Sequence, residues 1–366
     1  MGSLLEPGSH RAAGVVDDDA LVAAMVRVEE AWLRARGGSG SVEKPVQLDD
    51  AEVEAGGNPV LPLVRALRAD LGGEVHRGLT SQDVLDTALM LLARDALTRV
   101  SADLESLADS LAGLASVHRR SVMAGRTLTQ YAVPVTFGLK AAQWLVGVVD
   151  AREALEGVVL PVQCGGAAGT LALAPDAPVE AFASELGLVV PVLSWHTRRT
   201  PVTRVGDALV ETCDALGHIA GDVLTLGRSE VAEVREAAGR GGSSTMPHKQ
   251  NPVLSVLIRS AALQAPQLGA QLHVCAGQSQ DERSPGAWHA EWPAFRRLLE
   301  LMVTAASQAA ELVAGLEVDV DAMRRRAESA ADQLLSERGG SGDPASYLGA
   351  SDALIDAALA RWTSRG

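Results

Sequence analysis

Aromatic side chains are scarce in this sequence. Its 366 residues include three Phe, two Tyr and six Trp. Ala, Leu and Val dominate the 47% hydrophobic content instead, which favours close-packed helices over an aromatic-rich β-sandwich. Cysteine is scarce too. Cys164, Cys213 and Cys275 stand far apart with no metal or redox spacing, so they read as reduced core or near-core thiols of a cytoplasmic protein. No ligand cluster with metal spacing is present, and the expected chemistry needs neither a metal nor an organic cofactor. Cations are outnumbered, 32 against 46 acidic residues, which gives a formal charge of −14 and argues against nucleic acid as a partner. The start, Met-Gly-Ser-Leu-Leu-Glu-Pro, lacks the basic-then-apolar order of a secretory signal. The uncharged run from Gly157 to Pro175 contains Pro161, Gln163, Gly165, Gly166 and Gly169, which points to a buried loop rather than a membrane span. No membrane partner is expected.

What is present in quantity is helical periodicity. Asp17 to Arg36 reads as an amphipathic helix with Leu21, Met25, Val28 and Trp32 on one face and Gly37-Gly38 as its stop. Asn58-Pro59 opens another, which ends before Gly72-Gly73. Leu97, Val100, Leu104, Leu107, Leu111 and Leu114 alternate spacings of three and four, the mark of a bundle seam. Leu209, Leu216, Ile219, Val223 and Leu226 make a second seam, and Leu298, Met302, Leu312 and Leu316 a further helix. Gly125 to Pro134 reads as a loop leading into a Pro-started helix.

Two stretches carry chemistry by their own residues, and a third gains interest only from the resemblance given below. Gly239 to Pro252 combines three glycines, the hydroxyls of Ser243, Ser244 and Thr245, a His-Lys pair and an Asn-Pro. Asn251 is expected as an N-cap with Pro252 in the first helical position, so Lys249, Asn251 and the first-turn N–H groups form an anion site. The glycines let the loop backbone move and approach a ligand. A Gly/Ser linker would not carry Met-Pro-His-Lys-x-Asn-Pro at a helix entry. The second stretch, His76 to Asp83, places Thr80 and Ser81 at a helix start, where capping explains one hydroxyl and carboxylate binding would use both. The third is Gly125-Arg126-Thr127-Leu128-Thr129-Gln130-Tyr131. For Glu282 and Arg283, a buried pair and direct substrate contact stand as equal readings.

The first of these stretches resembles the signature of the fumarase/aspartase superfamily, Gly-Ser-Ser-x-Met-Pro-x-Lys-x-Asn-Pro, from Gly242 onward. The order His-x-Gly-x-Thr-Ser-x-Asp-Val-x-Asp-Thr from His76 resembles the superfamily's first conserved region. Thr127 and Gln130 match its second, but Leu128 stands where the family has a histidine, and leucine neither transfers a proton nor donates a hydrogen bond. Loss of that histidine is similar to the branch of bacterial 3-carboxy-cis,cis-muconate cycloisomerases. Further likenesses to that branch are Thr136 to Leu145, Gly165 to Leu171, Trp195-His196-Thr197-x-Arg199 and Gly286 to Trp292. Tyr131 stands where some members carry His or Gln.

The resemblance implies an all-α fold, a fumarase/aspartase-like long helical bundle with small flanking helical domains and a homotetrameric core whose sites are shared between subunits. The division expected is an N-terminal helical domain over 1–94, the bundle over 95–316 and a shortened helical segment over 317–366. It implies a small polycarboxylate substrate and proton transfer at a carbon beside a carboxylate, here lactonisation of 3-carboxy-cis,cis-muconate. Ser243, Lys249, Asn251 and His76 are the implied catalytic residues. Thr80, Ser81, Arg126, Thr127, Gln130, His196, Arg199, Met246 and Arg283 are the implied substrate contacts, and Arg77, Arg198, Arg240 and His248 complete a local basic set. Two alternatives stay open. One is an elimination of the adenylosuccinate, argininosuccinate or substituted-succinate type, and the other is a non-catalytic relative that keeps the scaffold.

Overall fold

The structure is a computed structural model and describes residues 4–246 and 249–364. His248, one of the expected cations, lies outside the described residues. Among those described, the chain forms twelve α-helices and two small antiparallel sheets of two strands each.

Helix α1 (Asp18–Ala35) starts where Asp17 accepts the Ala20 N–H at 3.0 Å, and it buries Met25, Val28 and Trp32 as the periodicity requires. A short α2 (Asp50–Gly56) leads to α3 (Val60–Leu71), whose first N–H donates to the Asn58 side chain at 3.0 Å. The 37-residue α4 (Ser81–Val117) buries Leu97, Val100, Leu104, Leu107 and Leu111. Next comes a hairpin, β1 (Val122–Thr127) and β2 (Gln130–Thr136), followed by α5 (Phe137–Glu156). The uncharged run after α5 is a loop with residues 161–166 buried, and among the described residues no helix is long and apolar enough to cross a membrane. Beyond it lie α6 (Val179–Leu186), α7 (Thr200–Leu226), β3 (Val234–Arg235), α8 (Val253–Gly277) and α9 (Ala287–Ala314). The chain continues through β4 (Glu317–Val318), α10 (Val320–Ser329), α11 (Ala331–Leu334) and α12 (Ser351–Thr363).

The chain forms two compact units. One takes the chain up to Arg99 with Gly157–Leu209 and Ala265–Thr304, and the other takes Val100–Glu156, Val210–Gln264 and the chain from Ala305. In the first, α1 packs on α6, with Trp32 and Phe182 edge to face at 5.4 Å between ring centroids. In the second, Asp222 of α7 accepts from Trp144 at 2.8 Å and from Lys140 at 3.1 Å, which ties α7 to α5. Arg361 of α12 pairs with Asp150 and Glu153 of α5. Helices α7 and α8 approach closely enough there that a Cβ on Gly217 would stand 2.5 Å from that of Ala262. Strand β3 pairs with β4, which lays the chain after Leu316 beside the segment that leads into the glycine-rich loop.

The hairpin corrects the expectation of a plain loop at Gly125–Pro134. Its inner face packs on α10 and α11 through Ala124, Ala327, Ala330 and Leu334. Pro134, which has no N–H for the ladder, sits where the register shifts between Ala124 and Arg126. The two-residue turn is Leu128-Thr129, both in the left-handed region at φ 47° and 72°, and the Leu128 side chain is 96% exposed. The usual turn signal, Asn-Gly, is absent, which hid the hairpin from periodicity. A β-branched residue at such a φ is strained. Replacing Leu128-Thr129 by Asn-Gly is therefore expected to stabilise the second unit by roughly 1–2 kcal/mol. Denaturant unfolding of the double variant checks this, and an unchanged or lower midpoint would contradict it.

Candidate active site

In the first unit the stretch at the start of α4 is organised by Asp83. Its carboxylate accepts four hydrogen bonds: Gly165 N–H and His196 Nε2 on Oδ1, at 2.9 and 2.8 Å, and Thr80 N–H and Gly166 N–H on Oδ2, both at 2.9 Å. Asp83 thus caps its own helix and fixes the Gly165–Gly166 loop beside it. A Cβ on Gly165 would stand 2.4 Å from Ser194 Oγ and 2.8 Å from His196 Cε1, so that position admits no side chain. Thr80 and Ser81 are half-buried at this helix start. The Thr80 hydroxyl already accepts from Arg283 Nη2 at 2.6 Å. Arg283 forms no pair with the exposed Glu282, so the buried-pair reading of that dipeptide is not met, and Arg283 is held at the Thr80 hydroxyl instead.

His76 sits two turns of loop earlier with φ 66°, and its Nδ1 is 2.6 Å from Glu29 Oε1. Glu29 is fully buried on α1. With the carboxylate on Nδ1, the neutral ring carries its proton there and keeps Nε2 as the accepting nitrogen. The sequence reading missed Glu29. The available signal was a carboxylate on the apolar face of α1, among Met25, Val28 and Trp32.

Two of the expected substrate contacts, Arg199 and His196, have their side chains in the interior. Arg199 is buried, and all five of its N–H donors are consumed inside the protein. Nη1 and Nη2 bind Asp86 at 2.7 and 2.9 Å, Nη1 also binds the Trp195 carbonyl at 3.2 Å, and Nε and Nη2 bind Glu291. Trp288 Nε1 and Gln163 Nε2 complete the shell of Asp86. No N–H of Arg199 is left unpaired. His196 is likewise buried: Nε2 is committed to Asp83, and its buried Nδ1 has no partner.

The second unit carries the glycine-rich loop. Its neck is closed by Asn251, whose backbone N–H and side-chain Nδ2 both donate to the Gly241 carbonyl, at 2.9 and 3.0 Å. Gly241 has φ 68°, and a Cβ there would meet Asn251 O at 2.0 Å, so glycine is obligatory. Gln250 Nε2 donates to the carbonyls of Glu236 and Ala237. Within the loop, Ser243 Oγ accepts N–H groups from Met246 at 3.1 Å and Thr245 at 3.4 Å. Met246 is 41% exposed. The anion site expected at the start of α8 is filled by the chain itself. Buried Glu236 accepts from Leu254 N–H at 3.1 Å, Ser255 N–H at 2.8 Å and Ser255 Oγ at 2.6 Å. A carboxylate with the right reach takes the positive helix end before any ligand can. Lys249 and Asn251 instead line an open cavity of about 1280 Å³.

The hairpin in the same unit holds Arg126, Thr127 and Gln130. Arg126 donates to buried Glu233 at 3.0 and 3.3 Å and to the Ala124 carbonyl at 3.2 Å, with its guanidinium 5.6 Å from the Tyr131 ring. Thr127 and Gln130 are exposed at the turn, where Gln130 donates to Thr129 Oγ1. The expected residues therefore assemble as two clusters. His76, Thr80, Ser81, Arg283 and the buried His196 and Arg199 belong to the first unit, and Arg126, Thr127, Gln130, Ser243, Met246, Lys249 and Asn251 to the second.

The three cysteines are free and buried. Burial pushes the Cys213 thiol up to about 12, and that of Cys164 also upward. Among the described residues no group of three His, Cys, Asp or Glu side chains is placed to hold a metal ion. Burial, opposed by Arg199 and reinforced by the charge of Asp86, raises the Glu291 carboxyl from 4.5 to about 7. Burial works against the Arg199 cation, but its two carboxylates more than offset this and hold it charged. A carboxyl that titrates higher in the folded chain binds a proton the unfolded chain has already released. Stability is therefore expected to fall as pH rises from about 4.5 to about 7. Glu291→Gln, which mimics the protonated form, should flatten that fall; chemical denaturation across this pH range checks it, and an unchanged slope would contradict it.

Comparison with known proteins agrees with this architecture. A family model described as Lyase matches residues 51–266. Nitrosuccinate lyase of Streptomyces davaonensis is 47% identical over 360 residues, covering 88% of this chain and 76% of that protein. A 3-carboxy-cis,cis-muconate cycloisomerase of Pseudomonas aeruginosa is 43% identical over 296 residues, 77% of this chain. The match spans 64% of that cycloisomerase, less than two thirds of its length. Among solved structures, the 3-carboxy-cis,cis-muconate lactonizing enzyme of Pseudomonas putida superposes with a TM-score of 0.87 at 30% identity over 99% of both chains. A fumarate lyase of Mesorhizobium gives 0.82 at 28% identity over 96% of this chain and 97% of that one. The chain belongs to this lyase family, within the fumarase/aspartase superfamily.

Proposed function

We propose that the protein is a cofactor-free lyase that eliminates the C2 substituent of a substituted succinate and releases fumarate, with nitrosuccinate as the first candidate. The observation that carries this reading is the Ser243 hydroxyl, which receives two backbone N–H groups from its own loop. Such donors stabilise the oxygen once its proton is gone, so this serine reaches the alkoxide form more readily than an isolated one. Ser243, entering as the alkoxide, takes a proton from C3. The C–H electron pair becomes the C2=C3 double bond while the C2–N bond breaks and its pair leaves with nitrite. Between these events the charge spreads onto the carboxylate beside C3, where Lys249 and Asn251 stabilise it. Thr80, Ser81, Thr127 and Gln130 hold carboxylates, and His76 stands as a proton-handling group. The reading includes a homotetramer in which neighbouring subunits complete each site.

Leu128 favours this chemistry over an adenylosuccinate- or argininosuccinate-type elimination. An amine leaving group needs a proton as it departs, whereas nitrite leaves as a weakly basic anion and makes no such demand on position 128. The identity to nitrosuccinate lyase, 47% over 88% of the chain, supports the same substrate class.

A second reading is lactonisation of 3-carboxy-cis,cis-muconate. It is supported by the 0.87 TM-score to the lactonizing enzyme and by the same Leu128, since a tethered carboxylate also leaves without a proton.

Protein freed of metal and mixed with nitrosuccinate should yield fumarate and nitrite in equal amounts. Ser243→Ala should lower kcat by about 10²- to 10⁴-fold. Loss of diene absorbance from 3-carboxy-cis,cis-muconate without any fumarate from nitrosuccinate would transfer the assignment to the cycloisomerase. No turnover of either would favour the non-catalytic scaffold.

A further inference from the structure

The cavity that contains Lys249 and Asn251 also has Arg228 on its wall, two residues past the end of α7. Nothing in the motifs singles this arginine out. Its backbone is fixed: the Arg228 carbonyl accepts N–H groups from Val231 and Ala232, at 2.8 and 2.7 Å, and the next turn is locked by Glu233 N–H on the Leu226 carbonyl at 2.9 Å. Its side chain is exposed.

The charges around the cavity are unevenly satisfied. Glu236 is consumed by the start of α8. Glu317 is paired with Arg235, Asp319 caps α10 through Ala322 N–H at 2.8 Å, and Asp321 is paired with Arg324 at 2.8 Å. Among the described residues, Arg228 and Lys249 are the lining cations that pair with no carboxylate; Glu230, Glu236 and Asp319 pair with no cation, the last two being bonded to N–H and O–H groups instead. The lining as a whole is acidic, so Arg228 and Lys249 are the positions on it where a cation is free to meet an anionic ligand. A neighbouring cavity of about 580 Å³ in the same unit differs: its Arg126 is held by Glu233 and its Lys140 by Asp222, so Arg228, which lines both, is its one uncommitted cation among the described residues.

We propose that Arg228 is a carboxylate-anchoring residue of this site, and that it selects dianionic four-carbon acids over their monoanionic analogues. The proposal rests on the lyase reading for placing substrate beside Lys249 and Asn251, and it deepens that reading. Lys249 faces the carboxylate that receives the developing charge, while Arg228 holds the distal carboxylate through its planar fork. Its anchored backbone fixes where the side chain starts, and its guanidinium is the one on this lining with no carboxylate partner among the described residues. Glu230, on the same wall, sets an opposing charge that weakens anion binding.

The test uses full-length protein and three probes: nitrosuccinate for turnover, and fumarate and monomethyl fumarate for calorimetric binding. Arg228→Ala should raise KM for nitrosuccinate, and the Kd for fumarate, by about 10- to 100-fold. Its kcat should stay within about 3-fold of the parent, because the group stabilises substrate and transition state alike. The preference for fumarate over its monomethyl ester should shrink by a similar factor, and Arg228→Lys should restore part of it. Glu230→Gln should tighten fumarate binding by about 2- to 5-fold, an opposite effect that general loss of structure would not produce. Unchanged fumarate affinity in Arg228→Ala, or no fumarate binding by the parent, overturns the proposal. Normal turnover with parental KM in Arg228→Ala would remove the anchor and leave the lyase standing. Arg228-dependent fumarate binding without elimination from any candidate would keep the anchor and remove the lyase.

Discussion

Two buried carboxylates, Asp83 and Glu236, hold the motif-bearing loops in place, and the rest of the site depends on how they are satisfied. Each faces backbone N–H groups at the start of a long helix, Asp83 at α4 and Glu236 at α8. A buried charge is tolerated only when hydrogen bonds replace its lost water. Asp83 finds them in Thr80, Gly165, Gly166 and His196, and Glu236 in Leu254 and Ser255. Removing one partner of such an arrangement typically costs about 3–5 kcal/mol, so the geometry of each loop is fixed by the same bonds that allow the charge to be buried.

A consequence for chemistry is that the helix ends are already occupied. Any anionic ligand would then have to meet side chains that the interior does not consume. Arginines divide sharply on this criterion. Arg199 spends every donor on Asp86, Glu291 and Trp195, and Arg126 is largely taken by Glu233, whereas Arg228 and Lys249 remain uncommitted. Net charge and motif membership do not separate these cases; the partners do.

The loop that carries Ser243 follows the same division between anchored ends and a self-contained middle. Asn251, Gln250 and Gly241 fasten the neck to its own unit, while the Ser243 hydroxyl is served by N–H groups from within the loop. The N–H groups that Ser243 Oγ accepts therefore belong to the same loop that carries it.

The helices were legible in the sequence because helix formation is local. The spacing of Leu97 to Leu111 is buried on α4 as its period requires, and Asp17 and Asn58 mark helix starts by bonding groups two or three residues away. The Ser243 loop and the hydroxyls at Thr80 and Ser81 were legible for the same reason, since their chemistry is written in consecutive residues. The hairpin was not, because Leu128-Thr129 is a turn held by the packing of Ala124 against α10 and α11 rather than by its own preference. Nor were the partners. Glu29 meets His76 across 47 residues, Arg283 meets Thr80 across 203, and Arg199 meets Asp86 across 113. The sequence by itself determined which segments are helical and which hydroxyls, amides and cations are available. Only the tertiary structure decided which cations are consumed and which stay open, because that depends on what folding brings within hydrogen-bonding distance.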